Sequence, residues 1–182
     1  MNLPNKLTIF RIVMVPIFVI LLEIDLGLPA GLADILALIV FIVASFTDFL
    51  DGHIARKRNL VTNFGKFMDP LADKLLVCSA CICLTAMGRI PAWVVVIIIG
   101  REFVISGFRL VASEAGIVIA AGIWGKAKTV TQMAMTIALL LHFEVRWWTI
   151  FEQVLIFASV ALSIISVIDY IYTNRQVLKG GN

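Results

Sequence analysis

Six windows of this chain are long and apolar enough to cross a bilayer: residues 8–26, 33–55, 69–88, 91–113, 122–142 and 147–171. A spanning helix needs roughly 20 predominantly apolar residues, and its backbone polar groups must be satisfied within the helix because hydrocarbon offers no partner. Composition agrees, with 61% hydrophobic residues, 15% charged residues and a mean hydropathy of +1.03. Little of the 182 residues is left over. The expected architecture is therefore an all-α integral membrane protein, a six-transmembrane-helix bundle with short connections, forming one membrane domain over 1–182. A cleavable leader is not expected, since the first window is too long and no small-residue cleavage site follows it.

Orientation follows from the basic residues. With a cytoplasmic N-terminus, one side of the membrane holds Lys6, Arg11, Arg56, Lys57, Arg58, Lys66, Lys74, Arg101, Arg109, Lys126, Lys128, Arg175 and Lys179, and the other only Arg89 and Arg146. That bias places both termini in the cytoplasm. For Lys6, Lys57, Arg58, Arg175 and Lys179, at segment ends, anchoring to anionic headgroups is a sufficient account. The opening Asn2-Leu-Pro4-Asn5-Lys6 pattern suggests a short amphipathic segment at the interface.

Against this apolar background, four carboxylates stand out. Asp48 and Asp51 are spaced i, i+3 near the cytoplasmic end of the second helix, and Asp69 and Asp73 i, i+4 at the start of the third. Each pair shares a helix face. A short connection makes the helices antiparallel neighbours, so the pairs converge. An ionised Asp within a span costs about 2.5–3.5 kcal/mol even on the lenient insertion scale, and four together call for a compensating cation. Hard oxygen ligands suit Mg²⁺ or Mn²⁺, with two ions once substrate phosphates join, whereas zinc would want Cys or His. Gly52 and Ala55 leave room for a flat group, although small residues also serve close helix packing. Gly65 is expected to end the loop and admit a close backbone approach, Pro70 to sit in the first turn of the third helix, and Asp69 to be its N-cap.

A second polar cluster lies downstream. Arg101 and Arg109 occupy a nearly common face of an apolar window, eight residues apart, and Glu102 alone cannot serve both. A bound phosphate could.

The pattern D-x-x-D-G-x-x-A-R, eight residues, then G-x-x-x-D-x-x-x-D, running from Asp48 to Asp73, resembles the signature of the CDP-alcohol phosphotransferases at every fixed position. The resemblance extends over essentially the whole chain. It implies an enzyme of the bacterial cell membrane, its site facing the cytoplasm, that transfers a phosphatidyl or phosphoalcohol group from a CDP-linked donor to an alcohol and releases CMP. By position, Asp48, Asp51, Asp69 and Asp73 would be metal ligands, with Asp73 the general base and Asp69 catalytic beside it. Asp48, Gly52, Ala55, Arg56 and Gly65 would bind the CDP part of the donor. The segments Asn2 to Arg11 and Arg101 to Arg109 resemble the branch of the family that joins CDP-diacylglycerol to sn-glycerol 3-phosphate. A phosphorylated acceptor would account for further cations, with Arg109, Lys126 and Lys128 as its ligands and Arg101 and Ser106 in support. Lys126 and Lys128 could equally be topological anchors. The resemblance also implies a homodimer among membrane lipid, with no nucleic-acid partner.

Other features have plainer accounts. Cys78, Cys81 and Cys83 lie within one span and read as packing residues. His53 and His142 read as interfacial, and Trp93, Trp124, Trp147 and Trp148 as anchors at span ends. An ion-coupled transporter would need carboxylates near the midplane and a matching motif in the other half, and no second Asp motif follows residue 74. Within the enzyme class, phosphatidylinositol-phosphate and cardiolipin synthases would share the Asp signature and differ in the acceptor pocket.

Overall fold

The computed structural model describes the backbone of residues 3–29, 31–58, 63–114, 119 and 122–175, with side chains at 5–29, 31–47, 68, 71–72, 74–113, 119 and 122–175. Among these residues the chain forms six helices and no strand: α1 (Leu3–Glu23), α2 (Leu32–Arg58), α3 (Asn63–Ala86), α4 (Ala92–Glu114), α5 (Ile123–Leu141) and α6 (Arg146–Thr173). Each takes up most of one of the apolar windows. Two of them, Asn5–Glu23 and Arg146–Thr173, are long and continuously apolar enough to cross a membrane.

The helices overrun their windows where polar residues continue the turn. α1 starts at Leu3, so Leu3 to Lys6 form its first turn. α3 starts at Asn63, which places Gly65 inside the helix instead of the loop, and Asp69 and Pro70 about two turns in. The N-cap and first-turn expectations for those two residues therefore fail. A hydropathy window sees only the apolar part of a helix, whereas backbone hydrogen bonding carries on through Asn63, Gly65 and Lys66.

Close contacts divide the chain into two compact units, residues 1–89 with 139–141, and residues 90–138 with 142–182. In the first unit α1 packs on α2 and α3. Its inward face is Thr8, Arg11, Val15 and Phe18, at the three- and four-residue spacing of one helix face, and Phe18 meets Phe41 of α2 with ring centroids 6.1 Å apart. Arg89, just past the end of α3, forms an ion pair with Asp34 in the first turn of α2 and donates to the Leu139 carbonyl at 2.9 Å. The C-terminal end of α3 thus lies beside the N-terminal end of α2, and the two run antiparallel. Because the pair is largely buried, Arg89→Ala should cost about 2 kcal/mol by leaving Asp34 without its cation. Thermal unfolding in detergent would show this as a midpoint roughly 5 °C lower.

In the second unit α4 packs on α6. Arg101 Nε donates to Ser166 Oγ at 3.0 Å, and eight residues on, Arg109 Nε donates to Tyr170 Oη at 3.2 Å. Partners that advance together mean parallel helices, with α5 returning between them in sequence. At the α5–α6 turn, Phe143, Trp147, Trp148 and Phe151 form an aromatic cluster, with Trp148 edge-to-face on Phe143 and Trp147 and tilted against Phe151, and Trp148 Nε1 donates to the Ala138 carbonyl. Cys81 and Cys83 are buried, Cys78 is half-buried, and none of the three is in a disulfide.

The distribution of polarity is inverted relative to a water-soluble bundle. Val96, Phe103, Val130 and Ile168 are each more than 60% exposed, while Arg11, Lys128, Gln132, Thr136, Glu152, Ser159, Ser163 and Ser166 are buried. Large apolar surface on every helix needs an apolar surround.

Candidate functional site

The antiparallel pairing of α2 and α3 decides where the Asp motif falls. Asp48 and Asp51 lie on α2, 14 and 17 residues beyond Asp34, and Asp73 lies on α3, 16 residues before Arg89. At 1.5 Å per helical residue, Asp51 and Asp73 both stand about 25 Å from the Asp34–Arg89 ion pair, with Asp48 and Asp69 one turn to either side. The two aspartate pairs, 18 residues apart in sequence, therefore reach one level at the same end of the unit. Gly52, Ala55 and Arg56 continue α2 from there, and Gly65 lies in the first turn of α3. The side chains of Asp48, Asp51, Gly52, Ala55, Arg56, Gly65, Asp69 and Asp73 lie outside those described. Among the described residues, no group of three or more His, Cys, Asp or Glu could hold a metal.

A residue that the sequence reading treated as a topological cation reaches the same level. Arg11 is wholly buried on the face of α1 that packs against α2 and α3. The Cys83 thiol of α3 lies beside the Glu23 carboxylate at the end of α1, so α1 runs parallel to α3. Arg11 is 12 residues before Glu23, and Asp73 and Asp69 are 10 and 14 before Cys83. All three then stand about 15–21 Å from that contact. The signal was present in the Thr8, Arg11, Val15, Phe18 spacing, which puts the arginine on the packing face.

The second unit holds the other cluster. Glu102 forms ion pairs with both Arg101, at 2.8 Å, and Lys128 of α5. Ser106 Oγ donates to the Glu102 carbonyl at 2.5 Å. Arg109 is exposed, and its guanidinium carbon lies 5.7 Å from the centre of the Tyr170 ring, a cation–π distance that accompanies its hydrogen bond to the same side chain. Lys126 is exposed, one residue after Gly125, where an added Cβ would sit 3.4 Å from the Arg101 guanidinium. Of the five residues expected to hold an acceptor phosphate, the structure thus joins Arg101 and Lys128 through one carboxylate, places Ser106 one turn along α4, and leaves Arg109 and Lys126 at the surface.

Two partnerships were not read from the sequence: Glu102 pairs with Lys128 as well as with its neighbour Arg101, and Tyr170 accepts the hydrogen bond of Arg109. The Glu102–Lys128 contact joins residues 26 apart and follows from no local spacing. Tyr170, by contrast, continues the Ser159, Ser163, Ser166 stripe of α6, whose polar period is visible in the sequence.

An all-helical protein with a paired-aspartate motif brought to one level on two antiparallel helices is the class that the fold and the site define. The chain belongs to the CDP-alcohol phosphatidyltransferase family, whose model matches residues 1–165. It is similar to the CDP-diacylglycerol–glycerol-3-phosphate 3-phosphatidyltransferase of Bacillus subtilis, 45% identical over the whole chain and 99% of that protein. The protein of the same name from Haemophilus influenzae is 37% identical over 98% of the chain and 94% of its own length. That from Rickettsia typhi is 42% identical over 76% of each.

Proposed function

We propose that this protein transfers the phosphatidyl group of CDP-diacylglycerol to sn-glycerol 3-phosphate, giving phosphatidylglycerophosphate and CMP. The observation that carries the proposal is the full Asp48-to-Asp73 motif on antiparallel helices, in a chain whose full-length relatives bear the name of that reaction. In the step, a hydroxyl oxygen of the acceptor attacks the phosphatidyl phosphorus. The phosphorus–oxygen bond to CMP breaks, and Asp73 takes the hydroxyl proton.

The donor set of the motif fits a hard divalent cation, since four carboxylates offer oxygen ligands and no sulfur or imidazole. Asp48, Asp51, Asp69 and Asp73 would hold Mg²⁺ or Mn²⁺, two ions in all, and bound metal would supply charge neutralisation for the donor pyrophosphate and the departing CMP. Gly52, Ala55, Arg56 and Gly65 would seat the cytidine and phosphates. Arg109 and Lys126, exposed cations of the second unit, would recruit the acceptor dianion, with Arg101, Ser106 and Lys128 behind them.

The setting we propose is the cell membrane, with six spans, both termini and the site on the cytoplasmic side, one catalytic domain per chain, and a homodimer as the working unit. The exposed apolar side chains on every helix, the parallel α4 and α6, and the weighting of Lys and Arg to one side support this topology.

The test is CMP release by purified protein in detergent with CDP-diacylglycerol and Mg²⁺. Glycerol 3-phosphate should support release, whereas glycerol, inositol phosphate, serine and phosphatidylglycerol should not. Chelation with EDTA should reduce the rate to background, and Mg²⁺ or Mn²⁺ should restore it. Release with a different acceptor would refute the acceptor assignment, and undiminished release in EDTA would refute the metal site.

A further inference from the structure

Hydroxyls at Thr47, Thr85, Ser106, Thr129, Thr131 and Ser163 turn back onto the carbonyl one helical turn earlier, the usual way for Ser and Thr to satisfy themselves within a helix. Thr136 and Ser159 do not. Both are 0% exposed, and among the described residues neither hydroxyl has a hydrogen-bond partner; nor has Nε2 of Gln132, a side chain 1% exposed. Buried polar atoms left in this state are rare, and where they gather, an ordered water usually completes them.

Register sets the three residues at nearly one height. Gln132 and Thr136 are one turn apart on α5. α5 and α6 are antiparallel, because His142 at the end of α5 approaches Glu152 near the start of α6 at 3.3 Å, while Gly122 before α5 faces Asp169 near the end of α6. Gln132 lies midway between 122 and 142, and midway between 152 and 169 on α6 is the turn carrying Ser159. Ser159 belongs to the buried stripe of α6, so its hydroxyl is directed inward.

We infer that Gln132 Nε2, Thr136 Oγ1 and Ser159 Oγ bind a buried water molecule between α5 and α6. The chemistry balances. The amide donates, each hydroxyl can donate or accept, and three bonds are the ordinary complement of an internal water. A neutral donor and two hydroxyls suit a neutral ligand. The water extends a polar chain already present, in which Arg101 donates to Ser166, Ser166 to the Ser163 carbonyl at 2.9 Å, and Ser163 to the Ser159 carbonyl at 2.7 Å. It ties α5 to α6 with hydrogen bonds where apolar contact gives helices in a bilayer little reason to associate.

Two variants and one labelling experiment test the site without relying on the transfer reaction. Thr136→Val and Ser159→Ala each remove a hydroxyl with little change of shape. With water bound, each strands the water's other bonds, and the midpoint of thermal unfolding in detergent should fall by about 2–4 °C. In a dry site each removes an unsatisfied group, so an unchanged or raised midpoint in either variant overturns the inference. In the unsubstituted protein, radiolysis of bound water should oxidise Met135, which is 0% exposed and on the same sector of α5 as Gln132 and Thr136. Met135 left unoxidised would overturn the inference even if neither variant could be purified.

Discussion

Asp73→Asn should lower CMP release by about 10³-fold or more while leaving the affinity for CDP-diacylglycerol within a few-fold of its starting value. Asn keeps the size and one oxygen of Asp but cannot take a proton, and a positioned general base contributes about 10²–10⁴-fold to rate. Removal of the metal ligation proposed for Asp73 would add to the loss. Asp51→Asn should differ in kind. Asp51 lies on the other helix of the pair, and loss of its charge should weaken metal-dependent donor binding as well as turnover. Donor affinity by equilibrium binding and CMP release by single turnover separate the two effects. Equal loss of donor affinity in both variants would remove Asp73 from the role of base.

Glu102→Ala should lower stability by about 3–5 kcal/mol, the largest stability effect expected of any single substitution in the second unit. The carboxylate is shared by Arg101 and Lys128, all three side chains are largely buried, and its loss deprives two cations of a common partner at once. Arg101 keeps Ser166, which offers a dipole in place of a charge. Removing a cation together with the anion should recover part of the loss, so Glu102→Ala/Lys128→Met should be more stable than Glu102→Ala alone. Thermal unfolding of the single and double variants in detergent gives the comparison. A double variant no more stable than Glu102→Ala would show that Lys128 does not depend on this carboxylate.

Arg101 and Glu102 mark the limit of sequence reading in this chain. That an arginine amid Val, Ile and Phe needs an anion follows from desolvation alone, and the pairing with the adjacent glutamate could be read from composition. Which second cation shares that glutamate could not, because Lys128 comes from another helix, 26 residues away. Arg11 shows the reverse case. Its place on the inward face of α1 was legible in the spacing of Thr8, Val15 and Phe18, yet a count of cations by loop weighed its charge and not its face. Gly65, Asp69 and Pro70 were misplaced for a related reason, since hydropathy ends where polar residues begin while the helix continues through them.

From the sequence by itself came the all-helical class, the six segments and the spacing of the aspartates, since each rests on a local quantity: the apolar length a helix needs and the 3.6-residue period that puts i, i+3 and i, i+4 on one face. Tertiary structure alone decided that Asp34 and Arg89 close one end of the antiparallel pair, opposite the end where the short connection already implied that Asp48, Asp51, Asp69 and Asp73 converge. It alone left polar atoms of Gln132, Thr136 and Ser159 buried without a protein partner among the described residues. Such matches depend on which helix lies against which and at what height, and that is set by packing and by buried charge pairs between residues distant in the chain.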